Sequence, residues 1–144
     1  MIILGIDPGA SGGIAVLSDP VEVFPLKNHT LQDQWAWIKL TRGPKKAYLE
    51  SVHSMPRDGV RSAFSFGKSY GNLEAFLVAA EIPFERVTPS VWQREFGLIK
   101  RKGETHTEKK NRHKALAQEM FPSVKVTHAV SDALLIAEYG RRQK

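Results

Sequence analysis

The chain opens on Ile2-Ile3-Leu4-Gly5-Ile6, a run without a single charge, and the run stops at Asp7-Pro8-Gly9. A short, nearly continuous apolar run reads as a central strand covered on both faces. That segment calls for a sheet with a packed layer on each side. It also sets a carboxylate at the strand's end, where ionisation is costly unless something neutralises it. Asp7-Pro8-Gly9-Ala10-Ser11-Gly12-Gly13 is turn chemistry and is short enough to close a hairpin onto Ile14-Ala15-Val16-Leu17.

The pattern then alternates. Val21 to Phe24 reads as a third strand. Thr30, with Asp33 three residues on, caps a helix that turns Leu31, Trp35 and Ile38 inward and ends near Arg42-Gly43-Pro44. Ala47-Tyr48-Leu49-Glu50 reads as a fourth strand and residues 53 to 69 as a loop. Leu73, Phe76, Leu77 and Ala80 mark a second helix, and Phe84 to Val87 a fifth strand. A short helix over 90–96 follows. A further helix runs from about Thr107 to Phe121 with Leu116, Ala117 and Met120 inward, stopped by Pro122. A last helix runs from Thr127 or His128 to Gly140, with Ala133, Ile136 and Ala137 toward the sheet. The expectation is one α/β domain over residues 1–144, a mixed five-stranded sheet flanked by helices.

Composition excludes several classes. With 42% hydrophobic and 25% charged residues, the chain has the make-up of an ordinary globular domain. There is no cysteine, so disulfides, thiolate zinc sites and cysteine nucleophiles are all removed. No uncharged apolar run approaches the roughly 20 residues that span a bilayer. The opening residues lack the basic start of a secretion signal, so no membrane association and a cytoplasmic location are expected.

The charge is concentrated. Residues 100–114 hold seven basic side chains (Lys100, Arg101, Lys102, Lys109, Lys110, Arg112, Lys114) against Glu104 and Glu108, which accounts for five of the chain's net +6. Such a patch suits tracking of a phosphate backbone; a solvated helix face is the plainer alternative. Phe64, Phe66 and Tyr70 lie soon after Glu50, where aromatic rings would stack on or wedge between unpaired bases, or else anchor the segment to the core.

Four residues are candidates for chemistry. Asp7 and Glu50 each end a strand, and His128 and Asp132 stand at i and i+4 on one helix face. Singly, each has an ordinary reading: an Asx-turn for Asp7, a surface charge for Glu50 or Asp132, a helix-start residue for His128. Gathered, they are oxygen ligands for Mg²⁺ or Mn²⁺, and two such ions roughly 3.5–4 Å apart are recurrent machinery for cutting phosphodiesters. The glycine-rich turn also looks like the first phosphate loop of actin-like sugar kinases, but those close two domains on a nucleotide and 144 residues do not supply both.

Ile3-Leu4-Gly5-Ile6-Asp7-Pro8-Gly9 resembles the opening of the RuvC family of Holliday junction resolvases, within the ribonuclease H-like superfamily. Similarity continues in order through Tyr48-Leu49-Glu50, Ser65-Phe66-Gly67 with Tyr70-Gly71, and Val87-Thr88-Pro89-Ser90-Val91-Trp92-Gln93. It ends with Lys109-Lys110 to Phe121-Pro122, as in phage-type members, and with Ser131-Asp132-Ala133-Leu134-Leu135-Ile136-Ala137. The resemblance implies a ribonuclease H-like fold and a Mg²⁺-dependent endonuclease, with Mn²⁺ as a substitute and two ions per site. Paired, symmetric nicks in four-way DNA junctions would leave 5′-phosphate ends. Asp7, Glu50 and Asp132 would be the metal-binding catalytic carboxylates. Family members commonly carry an acidic residue or histidine three positions before the last Asp; here that position is Ala129, and His128 beside it is the candidate ligand or proton-transfer group. Lys100, Arg101, Lys102, Lys109, Lys110, Arg112 and Lys114 would hold DNA, and Phe64 or Phe66 would probe the crossover. A homodimer is implied, with Leu73, Phe76 and Leu77 as candidate interface residues, in a bacterial or phage-infected cytoplasm. The alternatives are a nuclease of the same fold acting on flaps, forks or RNA–DNA hybrids, and a non-catalytic junction binder.

Overall fold

The computed structural model describes residues 1–43, 45–51 and 59–143. In chain order the elements are β1 (Ile2–Asp7), β2 (Gly13–Leu17), β3 (Glu22–Pro25), α1 (Leu31–Leu40), β4 (Lys45–Glu50), α2 (Val60–Ala79), β5 (Phe84–Val87), α3 (Pro89–Glu95), α4 (His106–Met120) and α5 (His128–Arg142). The strands lie in the order β3-β2-β1-β4-β5. β1, β2 and β3 form an antiparallel meander, while β4 joins β1, and β5 joins β4, in parallel. This is the mixed α/β sheet of a ribonuclease H-like fold. Among the described residues no helix is long and apolar enough to cross a membrane.

The pleat divides β1 and β4 between two cores. Leu4, Ile6, Ala47 and Leu49 face Ile38 of α1 and Leu73 and Leu77 of α2. Ile3 and Tyr48 face the other way, into a core shared with α3, α4 and α5. Leu134, Leu135 and Ile136 of α5 are fully buried, each contributing roughly 1.5–3 kcal/mol by burial alone. α5 sits very low on the sheet. A Cβ on Gly5 would stand 2.1 Å from the Ala133 carbonyl oxygen and 2.3 Å from the Ala137 nitrogen, so only glycine lets the helix backbone come this close.

Thr30 and Asp33 form the reciprocal cap expected for α1, with Asp33 in the place of the usual Glu. The inward stripe differs from expectation. Gln34 and Ile38 are buried, Trp35 leans on Phe76 with ring centroids 5.7 Å apart, and Leu31 is 46% exposed.

The larger correction concerns the expected loop over 53–69. Residues 53–58, including Pro56 and Asp58, lie outside the described residues, but residues 60–69 are helical and form the first half of α2. Phe66, Tyr70, Leu73 and Leu77 recur at i, i+4, i+7 and i+11, so the inner stripe continues through Gly67 and Gly71. A helical glycine costs only about 1 kcal/mol relative to alanine, which the packed stripe outweighs. Leu73 and Leu77 are fully buried and cannot meet another chain; the outward apolar side chains of α2 are Val60, Phe64 and Val78.

Candidate active site

Parallel pairing sets Gly5 beside Tyr48 and Ile6 beside Leu49, so Asp7 and Glu50 follow at the same end of adjacent strands. Alternation turns both toward α5: Asp7 shares the side of Ile3 and Gly5, and Glu50 that of Tyr48. On α5, Ala133 and Ala137 rest on Gly5, and the Ala129 carbonyl meets Gly13. Asp132 is therefore delivered over the strand ends by the same turn of helix that touches β1. The turn below it is pinned from α2, because the Gly9 N–H donates to Ser69 Oγ at 3.1 Å and the Phe66 ring lies under Gly9, whose φ is +111°.

The three carboxylates feel one another. Burial, followed by the charges of Glu50 and Asp132, holds Asp7 well above the ordinary carboxylate range. Burial pushes Glu50 up to about 7 against the lowering effect of a hydrogen bond from Trp92; the Asp132 charge adds to the rise. Burial acts on Asp132 too, but a hydrogen bond to His113 and the charge of Lys110 outweigh it and leave Asp132 below the usual range. Burial and mutual repulsion thus oppose ionising Asp7 and Glu50 beside Asp132, and Lys110 only partly offsets them.

Its internal partners come from α3 and α4. Trp92 Nε1–H donates to Glu50 Oε2 at 2.6 Å. His113 Nδ1 pairs with Asp132 Oδ1 at 2.8 Å, and Lys110 Nζ with Asp132 Oδ2 at 3.3 Å. Lys110 and His113 are one helical turn apart, so a single face of α4 reaches both oxygens of Asp132. The Lys110 ammonium is partly buried. Burial disfavours its charge, but Asp132, Asp7 and Glu50 together more than compensate and raise its pKa.

The three acids singled out by the sequence come to one end of the sheet, whereas Trp92 and His113, which hold Glu50 and Asp132, are not among its candidate catalytic residues. His113 lies on the inward stripe of α4, four residues before Ala117, and a histidine on an apolar stripe was the available signal. His128, expected beside Asp132, is exposed at the first position of α5. It lines a cleft of about 340 Å³ with Ser11, His106, Thr107 and Lys110. The space next to Asp132 is filled by His113 because α4 packs against α5 there.

The basic residues separate in the same way. Lys100, Arg101 and Lys102 are exposed on the connection between α3 and α4, and Lys109 and Lys114 are half-exposed on α4. Lys110 is turned into the carboxylate cluster. Arg112 is not a free phosphate contact: it forms a two-pronged pair with Glu104 at 2.5 and 2.9 Å and donates to the Gly97 and Ile99 carbonyls. That pairing, chiefly the Arg112 hydrogen bond, holds Glu104 down at about 2. Phe66 stacks on Tyr70 with centroids 6.4 Å apart, whereas Phe64 is 70% exposed with Lys68 near its ring. Of the two rings, Phe66 is the anchor and Phe64 is accessible.

The donor set, three carboxylates with an unmet demand for positive charge, fits a hard divalent cation. As they stand, no three His, Asp or Glu side chains among the described residues are gathered tightly enough to clasp an ion.

No protein-family model matches the chain, and no curated protein matches it. Its fold is that of solved RuvC structures from Thermus thermophilus. One RuvC structure is 17% identical over 98% of this chain and 96% of its own, with a TM-score of 0.57. A second, RuvC in complex with a Holliday junction substrate, is 17% identical over 99% and 96%, with a TM-score of 0.60.

Proposed function

We propose that this chain is a divalent-metal-dependent endonuclease that resolves four-way DNA junctions by paired, symmetric nicks. The observation that carries the reading is the convergence of Asp7, Glu50 and Asp132 at the ends of β1, β4 and the first turns of α5, on the fold of RuvC. Asp7, Glu50 and Asp132 would hold two Mg²⁺ ions, or Mn²⁺ in their place. When bound, the ions would supply the positive charge that favours in-line attack of water on phosphorus and departure of the leaving oxygen.

The remaining work falls to the protein. Lys100, Arg101, Lys102, Lys109 and Lys114 form a basic rim that would bind the backbone and fix its register, with no base preference of their own. Lys110, between that rim and the acids, would steer a phosphate toward the site. Phe64 would stack in the opened crossover. His128 lines the adjoining cleft with His106 and Lys110, apart from the three acids. Two symmetric cuts need two sites related by a two-fold axis, so the active species would be a homodimer, with the outward face of α2 as the candidate interface.

The test is cleavage of a labelled four-way junction beside linear duplex, flap and RNA–DNA hybrid at fixed salt. Wild type and Asp7→Asn are compared with Mg²⁺ and with chelator. Paired nicks in the junction that need both metal and Asp7, with junction binding retained in Asp7→Asn, are expected. Metal-dependent cutting of flap or hybrid alone would replace the substrate, and tight junction binding without cutting under any metal would leave a binding protein.

A further inference from the structure

The two carboxylates contributed by β4 and α5 are each gripped from behind by a fully buried ring. Trp92, from α3, is 0% exposed and its N–H reaches Glu50 Oε2 at 2.6 Å. His113, from α4, is 2% exposed and its Nδ1 reaches Asp132 Oδ1 at 2.8 Å. The two rings also touch each other edge to face, with centroids 5.5 Å apart and planes at 72°. The hydrogen bond makes Nδ1 the donor, since a carboxylate oxygen only accepts. Among the described residues His113 Nε2 is buried without a partner, so the one polar engagement of the ring seen there is Asp132.

We infer that Trp92 and His113 form a single aromatic brace that orients Glu50 and Asp132 for divalent-cation binding, making both of them positioning residues. The inference rests on the metal-dependent reading of the site and deepens it. The brace takes Oε2 of Glu50 and Oδ1 of Asp132. It leaves Oε1 of Glu50 outside the brace, while Oδ2 of Asp132 is the oxygen that Lys110 holds at 3.3 Å, so a cation on Oδ2 would take the place of the Lys110 ammonium. Four elements that are otherwise separate in the chain are thereby locked at one point. α3 begins two residues after Val87, which is the β5 partner of Glu50, and α4 packs on α5, which carries Asp132. If one ring shifts, the edge-to-face contact transmits the shift to the other carboxylate. Groups that orient metal ligands in this way typically change metal affinity or activity 10–100-fold when replaced.

The experiment measures Mn²⁺ binding to the DNA-free protein by calorimetry, alongside thermal melts and junction binding in chelator. Trp92→Phe keeps an aromatic ring and removes the donor. His113→Leu removes the donor, and His113→Asn restores an N–H near the position of Nδ1. Trp92→Phe and His113→Leu are each expected to weaken Mn²⁺ binding about tenfold or more. The double variant should be little worse than either single one, because the brace acts as a unit. His113→Asn should recover most of the affinity, while junction binding in chelator stays at the wild-type level in every variant. Folded Trp92→Phe and His113→Leu proteins that bind Mn²⁺ as wild type does would overturn the brace alone. A wild type that binds no Mn²⁺, or binds it equally well as Asp7→Asn, would overturn the metal site and the brace with it.

Discussion

Gly5 lies directly beneath Ala133, so close that a methyl group on Gly5 would stand 2.1 Å from the Ala133 carbonyl oxygen. The contact is backbone to backbone, so no side chain can rotate away. Gly5→Ala must lift α5 from β1, and with it Asp132. Overpacking of this kind costs about 3 kcal/mol. Urea unfolding should show that loss, and molecules that still fold should cut poorly. Wild-type stability and wild-type cleavage together in Gly5→Ala would mean that α5 is not seated on β1.

The raised pKa of Glu50 gives the metal-free protein an unusual pH dependence. Burial moves the group from 4.5 to about 7 on folding. Between those values the folded chain holds a proton that the unfolded chain has released. The contribution of Glu50 to stability is therefore fully present below 4.5 and is lost as pH rises through 7. The difference between wild type and Glu50→Gln isolates this contribution. It should change by up to roughly 3 kcal/mol between pH 4.5 and pH 8, with wild type the less stable at pH 8. Mg²⁺ at pH 8 should recover part of the gap for wild type only. Urea melts at the two pH values check this, and parallel pH profiles for the two proteins would refute it.

Phe64 and Phe66 are two residues apart and should behave differently. Phe64 is 70% exposed, so Phe64→Ala should change stability by no more than about 0.5 kcal/mol while reducing junction affinity or cleavage. Phe66 lies under Gly9 and on Tyr70. Its truncation should cost roughly 1–2 kcal/mol, less than the 3–5 of a fully buried ring. Thermal melts and junction titrations on the two variants separate the roles. Equal loss of stability in both would remove Phe64 from the DNA surface.

The basic stretch should divide by salt dependence. Each phosphate contact adds about 0.9 to the slope of log affinity against log salt. Replacing Lys100, Arg101 and Lys102 together with alanine should reduce that slope by as much as roughly 3. Arg112→Gln should leave it nearly unchanged and instead speed amide exchange over residues 97–104, the segment that Arg112 ties down through Glu104, Gly97 and Ile99. A slope change for Arg112→Gln equal to that of one exposed lysine would return it to the phosphate-binding set.

Much of this architecture is legible in the chain because its signals are local. The run Ile2–Ile6, the turn at Asp7-Pro8-Gly9 and the Thr30/Asp33 cap each specify their own element. The three acids can be read because Asp7 and Glu50 each end a strand and Asp132 stands in the early turns of the helix that packs on them. His113 and Trp92 carry no such local signal, because their significance is tertiary. Nothing near His113 in sequence shows that α4 will press it onto Asp132, and His128, four residues from Asp132, was the nearer histidine. Arg112 and Lys110 look like their neighbours in a charged run, and only the packing of α4 turns them toward Glu104 and Asp132. The first half of α2 is hidden by Pro56, Asp58-Gly59 and Gly67, which read as loop residues until the stripe from Phe66 to Leu77 is traced through Gly67.

The parity of β4 has a consequence for quality control. Glu50 meets Asp7 only because Tyr48 pairs with Gly5. A strand threaded one residue out would turn Glu50 toward α1 and α2 and give Leu49 its place. Threading two residues out would restore the side but carry the carboxylate about 6.6 Å along the strand. Either mistake leaves a sheet with nearly its full complement of hydrogen bonds, and circular dichroism would not distinguish it from the correct one. Catalysis would. If the proposed activity holds, specific activity per folded molecule would count the fraction of chains whose fourth strand was laid down in frame, because a mis-threaded fold would lack Glu50 at the site.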